Sequence, residues 1–166
     1  DLHLPTKSDM EKIRRYCQIN SADDVFVFEI KLATNEVDKD YEYFSAECLW
    51  QMQWFFLGMA GILGYDWNSM ALPVIFETRV EESDTIRTKC GNRYMVLLAK
   101  AFLLRTKANE QFIVDIEKGQ LSEVSVGLSV KRRVCNICGK PQCEHKLGEE
   151  YHGKMCCKAL CEPQEA

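Results

Sequence analysis

Four residues in the last third of the sequence have the types and the spacing of a metal site. Cys135 and Cys138 are separated by two residues and followed by a glycine, and Cys143 and His145 come within the next seven positions. A Cys-x-x-Cys-Gly turn presents two thiolates to one ion, and the second pair adds a thiolate and an imidazole. The set predicts a closed site that holds a structural Zn²⁺ ion. Cys156 is a reserve ligand if the short Cys143–His145 spacing prevents both from binding.

The same cysteines have two other interpretations. They are unliganded thiols on a surface loop, or the Cys-x-x-Cys pair does redox chemistry, although no thioredoxin-like βαβ pattern surrounds it. Six of the nine cysteines follow residue 134, a distribution atypical of a secreted disulfide scaffold. The chain is therefore expected in a reducing cytoplasm. The longest apolar stretch, Trp54–Leu63, is too short to span a membrane, so no membrane partner is expected.

Basic side chains surround the cysteines and suggest a nucleic-acid interface as a secondary alternative. They are Lys131, Arg132, Arg133, Lys140, Lys146 and Lys154. A zinc knuckle within a positive patch can contact single-stranded nucleic acid. However, Tyr151 is the one aromatic residue among them, and the whole chain carries a formal net charge of −4. An ordinary solvated surface is therefore the favoured interpretation.

Ser125 lies in a stretch of alternating apolar and small or polar residues, Val124–Val130. The alternation predicts a strand in which Glu123, Ser125 and Gly127 share one face. Gly127 would leave room beside the hydroxyl for another backbone or a substrate. On this local pattern alone, a structural serine is a better interpretation than a nucleophile.

The remaining pattern predicts a mixture of helices and strands without regular βαβ spacing, which is typical of the α+β class. A capping box at Ser8–Glu11 predicts a helix over residues 9–19, and Ser45 is expected to cap a second helix that Gly58 ends. The further elements are strands over 25–32, 74–80, 94–104 and 124–130 and a helix over 106–118. By periodicity alone the 94–104 run also fits a buried helix; the polar loop before it favours the strand.

Five segments in sequence order resemble a known family. They are Thr34–Ser45, Gly58–Ile62, Asn109–Gly119, Gly119–Gly127 and the cysteine-rich insert Cys135–Cys156. Together they are similar to the prohead maturation serine proteases of tailed phages, in the branch with a Cys/His zinc-knuckle insert. The match in order extends from about Val25 to Leu160.

The resemblance implies a fold, an activity and partners. The fold would be an assemblin-like β-barrel or sheet core with flanking helices and a small zinc-knuckle insert. Ser125 would be the nucleophile of a protease that digests scaffold and capsid proteins inside the procapsid, in the cytoplasm of a bacterial host. The partners would be the phage scaffold and major capsid proteins, and self-association is a further expectation.

Two departures from the family pattern bear on catalysis. Tyr65, followed by Asp66, stands where the family has its catalytic histidine, and a phenol with a pKa near 10 is a poor general base at pH 7. Of the histidines in this sequence, only His152 is a conceivable substitute. The family's third catalytic residue lies on a strand after the zinc insert, so the sequence is expected to stop at the start of that strand.

The domain organisation follows from these observations. Residues 1–20 are expected to form an N-terminal helix, 21–133 the protease-like core, 134–157 the zinc knuckle and 158–166 the start of a truncated C-terminal segment. Function is therefore predicted as a prohead maturation protease or a catalytically impaired relative. The alternatives are a non-enzymatic zinc-binding protein of capsid assembly and, less favoured, a nucleic-acid-binding module.

Overall fold

The computed structural model describes residues 3–61, 73–121 and 124–164. Its helices and strands are α1 (Lys7–Ile13), β1 (Val25–Thr34), β2 (Glu42–Phe44), α2 (Ala46–Phe56), β3 (Val74–Arg87), β4 (Arg93–Leu104), α3 (Glu110–Glu117), β5 (Ser129–Cys135), β6 (Glu150–Tyr151), β7 (Lys154–Met155) and β8 (Lys158–Gln164). Short 3₁₀ turns lie at Ala22–Asp24 and Lys107–Asn109. None of the described helices is long and apolar enough to cross a membrane.

The predicted α+β class is confirmed, but the described strands form open sheets instead of a barrel. Their orders are β1–β4–β3, β2–β8–β5 and β6–β7. In the second sheet β8 is central, parallel to β2 and antiparallel to β5. The chain divides into two compact units. Unit 1 comprises Asp1–Ile30, Phe56–Thr78 and Ala99–Val124, and unit 2 comprises Lys31–Phe55, Arg79–Leu98 and Ser125–Ala166.

Unit 1 is organised around α1, whose first turn differs from the sequence prediction. The N-cap is Thr6, not Ser8: the Asp9 N–H donates to Thr6 Oγ1, and the Thr6 N–H donates to Asp9 Oδ2. The helix ends at Ile13 instead of residue 19. Burial acts to raise the pKa of Asp9, but these hydrogen bonds and the nearby Lys100 ammonium outweigh it and lower that pKa. The buried carboxylate thus stays ionised and fixes the start of the helix.

Two apolar clusters form the core of unit 1. The larger contains Met10, Ile13, Ile19, Val25, Val27, Phe76 and Phe102. The smaller contains Phe26, Leu103 and Ile113, with Phe112 and Ile116 packed against it. The inward face expected for the helix over 106–118 is therefore confirmed in α3, whose last three members of this cluster lie at helical spacing.

Unit 2 contains most of α2 and the sheet that carries the cysteine-rich segment. Ser45 caps α2 as predicted, because its Oγ accepts the Cys48 N–H at 3.1 Å. The buried Asn35 was not singled out from the sequence. Its amide donates to the Arg93 carbonyl and accepts from the Met95 N–H, both at 2.7 Å. These bonds tie the end of β1 to the start of β4.

Three strand predictions need correction in their bounds. The strand expected over 74–80 continues to Arg87, so the hairpin turn is confined to residues 88–92. The strand expected to begin at Val124 begins instead at Ser129 and runs on to Cys135. β8 carries too little alternation to be recognised alone, and it forms because β2 and β5 supply backbone partners on both sides.

Candidate metal centre

The first two cysteines of the centre are held by a turn at the end of β5. The Gly139 N–H donates to the Cys135 carbonyl at 2.8 Å, and the Cys135 N–H donates to the Lys140 carbonyl at 2.9 Å. Gly139 has φ +72, a left-handed conformation that a side chain disfavours. This turn folds Cys138 back toward Cys135, as the Cys-x-x-Cys-Gly spacing predicts.

All four predicted ligands converge in unit 2. The donor atoms of Cys135, Cys138, Cys143 and His145 lie within 4.8 Å of one another, and this is the one such group of His, Cys, Asp and Glu side chains in the part of the chain that the structure describes. Cys135 Sγ is 3.5 Å from His145 Nδ1. The arrangement can hold a metal ion that prefers sulfur and nitrogen ligands.

The backbone around Cys135 favours its thiolate. Burial acts to raise the pKa of this thiol, but the N–H groups of Cys138 and Ile137, followed by His145 and Cys143, outweigh burial and lower the pKa to about 6. Ile137 N lies 3.4 Å from the sulfur. A thiol with this pKa is mostly ionised at neutral pH, which is the form that binds a metal.

Cys156, the reserve ligand, lies beside the centre but outside the group of four. Its Sγ is 3.9 Å from that of Cys135, and the side chain is fully buried. Burial and the neighbouring Cys135 raise the pKa of Cys156 to about 11, so it remains a thiol at neutral pH. The geometry therefore favours His145 over Cys156 as the fourth ligand.

Two supporting residues of the centre were missed in the sequence. Asn136 accepts the Cys157 N–H through Oδ1 and donates to the Met155 carbonyl through Nδ2, both at 2.9 Å. The Tyr151 ring lies 4.5 Å from the His145 ring, and its hydroxyl accepts the Lys146 N–H at 2.9 Å. The available signal was position: an amide directly after the first cysteine, and a tyrosine six residues after the histidine.

Gly148 packs face to face with a tyrosine, and an alanine there is expected to destabilise unit 2. It has φ +82, and a Cβ would lie 2.6 Å from Tyr41 Cζ. Gly153, with φ +81 and nothing within 4 Å of its Cβ position, is the matched control. Each Gly→Ala change costs ~1–2 kcal/mol for left-handed backbone. We expect Gly148→Ala to cost ~1 kcal/mol more, because the half-exposed ring must move.

Urea unfolding of the two alanine variants measures this difference. Combining Gly148→Ala with Tyr41→Ala should remove the excess cost, because no ring is left to displace. Equal unfolding free energies for Gly148→Ala and Gly153→Ala would contradict the assigned contact.

The structure does not bring the predicted catalytic residues together. Ser125 is exposed in the irregular segment that precedes β5, and no atom lies within 4 Å of the Cβ position of Gly127. The shared strand face predicted for Ser125 is therefore wrong, because the strand starts four residues later. Tyr65 and Asp66 lie outside the described residues. His152 is exposed, with φ +51, at the turn between β6 and β7.

The basic residues before the centre are partly engaged in ion pairs. Arg132 Nε lies 2.9 Å from Glu162 Oε1, and Arg133 Nε lies 3.2 Å from Glu42 Oε1. All four side chains are partly exposed, so each pair adds little to stability. The pairs nevertheless reduce the positive charge that this strand offers to a nucleic-acid backbone.

Comparison of the chain with protein-family models, with curated proteins and with solved structures finds no match in any of the three.

Proposed function

We propose that Cys135, Cys138, Cys143 and His145 hold a structural Zn²⁺ ion in a phage head-assembly protein related to the prohead maturation proteases. The observation that carries the zinc proposal is the convergence of three sulfurs and one imidazole nitrogen within 4.8 Å. Zinc with thiolate and imidazole ligands is four-coordinate. Four protein ligands leave no open position for water or substrate, so the ion stabilises the fold and does no chemistry.

The packing of the segment explains why an ion is needed. No hydrophobic side chain between Cys135 and Cys156 is buried, although the structure describes all of these residues. The two-residue strands β6 and β7 add four residues of sheet. A segment without an apolar core needs another source of stability, and metal coordination supplies it in small domains.

Metal content tests the zinc proposal. Protein purified without added metal should contain about one zinc per chain by elemental mass spectrometry. Cys138→Ser should lose the metal, whereas Cys161→Ser, which removes a thiol of β8 outside the centre, should retain it. Zinc that stays bound to Cys138→Ser, or is absent from the unchanged protein, would contradict the assignment.

The head-assembly role rests on the ordered resemblance to the prohead proteases. In this proposal the chain acts inside the procapsid of a bacterial host, with scaffold and major capsid proteins as substrates or assembly partners. Ser125 would be the nucleophile. Its exposure and the open space at Gly127 are compatible with access by a peptide.

A non-enzymatic relative is the second candidate, and Tyr65 favours it. A serine hydroxyl needs a neighbouring base to remove its proton, and a neutral phenol cannot do so at pH 7. Such a protein would keep the metal centre and bind capsid or scaffold proteins without cleaving them. Cleavage of scaffold protein that depends on Ser125 distinguishes the two candidates.

A further inference from the structure

A second pair of cysteines in unit 2 lies outside the metal centre. Cys90 is in the turn between β3 and β4, and Cys157 directly precedes β8. The two side chains lie within hydrogen-bonding reach of each other. Cys90 Sγ is also 4.0 Å from the carbonyl oxygen of Met155. The fold thus joins two thiols that are far apart in sequence, and the metal centre uses neither.

The turn that carries Cys90 is held by its own hydrogen bonds. The Thr88 N–H donates to the Asn92 carbonyl at 2.8 Å, and the Gly91 N–H donates to the Thr88 carbonyl at 2.9 Å. The Asn92 N–H also reaches Thr88 Oγ1 at 3.2 Å. Thr88 itself is buried. Cys90 is therefore presented on a closed turn.

Asn136 fixes the other thiol. As described above, its side-chain amide bonds the backbone on either side of Cys156, at Met155 and Cys157. A disulfide requires two sulfurs that can approach to about 2.05 Å without a large backbone movement. Two anchored backbones with adjacent thiols meet this requirement better than thiols on free loops.

We propose that Cys90 and Cys157 are a redox pair that closes to an intramolecular disulfide by exchange with a small-molecule disulfide such as glutathione disulfide. Cys90 is partly exposed, whereas Cys157 is fully buried. The Cys90 thiolate therefore attacks the oxidant first and releases one glutathione thiolate. Cys157, after losing its proton to solvent, then attacks the Cys90 sulfur and releases the second. Two protein thiols are oxidised and one glutathione disulfide is reduced to two glutathione molecules.

The disulfide would connect the β3–β4 turn to the segment beside the metal centre. Asn136 follows the ligand Cys135 directly, and its amide holds the backbone of Cys157. Oxidation would therefore hold this segment in place when the metal leaves. Closure is expected to be slow, because burial disfavours the thiolate that makes the second attack.

Peptide mapping tests the proposal on the full chain with its native metal content. After incubation with glutathione disulfide, free thiols are alkylated and the protein is digested with trypsin without reduction. Cleavage after Lys89, Arg93, Lys154 and Lys158 places Cys90 in one short peptide and Cys157 in another. We expect these two peptides to be linked, with fragment ions that assign the bond to Cys157 instead of Cys156. Under denaturing, metal-free conditions the thiol count should fall from nine to seven.

Cys90→Ser should abolish this link, and Cys17→Ser, in unit 1, should leave it unchanged. Folding of Cys90→Ser is checked by its thermal midpoint in reducing buffer. A link from Cys157 to any other cysteine, or full alkylation of both thiols after oxidation, would overturn the proposal. Zinc measured in the same samples separates it from the proposed function, because a linked protein without zinc contradicts only the metal assignment.

Discussion

Removing the metal is expected to unfold the cysteine-rich segment and destabilise the sheet that carries it. Structural zinc contributes on the order of 10 kcal/mol of binding free energy. This is comparable with the whole stability of an ordinary domain, about 5–15 kcal/mol. Because the segment between Cys135 and Cys156 buries no hydrophobic side chain, nothing else in it replaces that contribution. Chelation, or Cys135→Ser, should therefore lower the thermal midpoint by many degrees.

Hydrogen exchange shows where the stability is lost. Amides of the β5–β8 ladder, such as Val134 opposite Ala159, should lose protection on chelation. Those of the unit 1 core, such as Phe26, should retain much more of theirs. Cys161→Ser is the matched control, since it changes a β8 thiol and leaves the four ligands intact. A chelated protein that melts cooperatively at its original temperature would exclude a structural role for the metal.

Tyr65→His is expected to switch on proteolysis if the protease assignment is correct. Loss of a triad base typically lowers kcat by about 10⁴–10⁶-fold, so restoring it should raise self-cleavage or scaffold cleavage by at least about 10⁴-fold. The gain should rise with pH through about 6.5, because the imidazole must be neutral to accept the serine proton. Cleavage is followed by gel electrophoresis and by mass spectrometry of the products.

Two control variants make this result specific. Tyr65→Phe removes the phenol hydroxyl without supplying a base, so its activity should match that of the unchanged protein. Adding Ser125→Ala to Tyr65→His should abolish the gained cleavage. A Tyr65→His protein with no Ser125-dependent cleavage would favour the non-enzymatic capsid-assembly candidate.

The metal centre was largely predictable because its signal is local. Four ligands within eleven residues must lie close together whatever the rest of the chain does, and a glycine after Cys138 marks the turn. The preference for His145 over Cys156 required coordinates, since both donors approach Cys135. Spacing alone cannot choose between two donors that lie on different turns of the backbone.

Elements with strong local patterns were predicted well, and elements made by distant partners were not. The aromatic and β-branched run of β1 and the apolar run of β4 agree with the structure within two residues at either end. The alternating residues before Ser129 remain outside the strand, because the β5–β8 register begins with Ser129 opposite Gln164. Start signals also competed: Thr6 and Ser8 both precede acidic residues three positions later, and Asp9, not Glu11, is the one that bonds back.

The parallel pairing of β2 with β8 places a constraint on how the chain folds during its synthesis. Glu42 is opposite Lys158, and Phe44 is opposite Leu160. A ribosome adding about 5–20 residues per second therefore needs on the order of ten seconds between making β2 and making the strand that pairs with it. During that interval β2 has no neighbour in its final sheet among the described strands. The second sheet can form only late, and chaperone binding to the nascent chain should be strongest in this window.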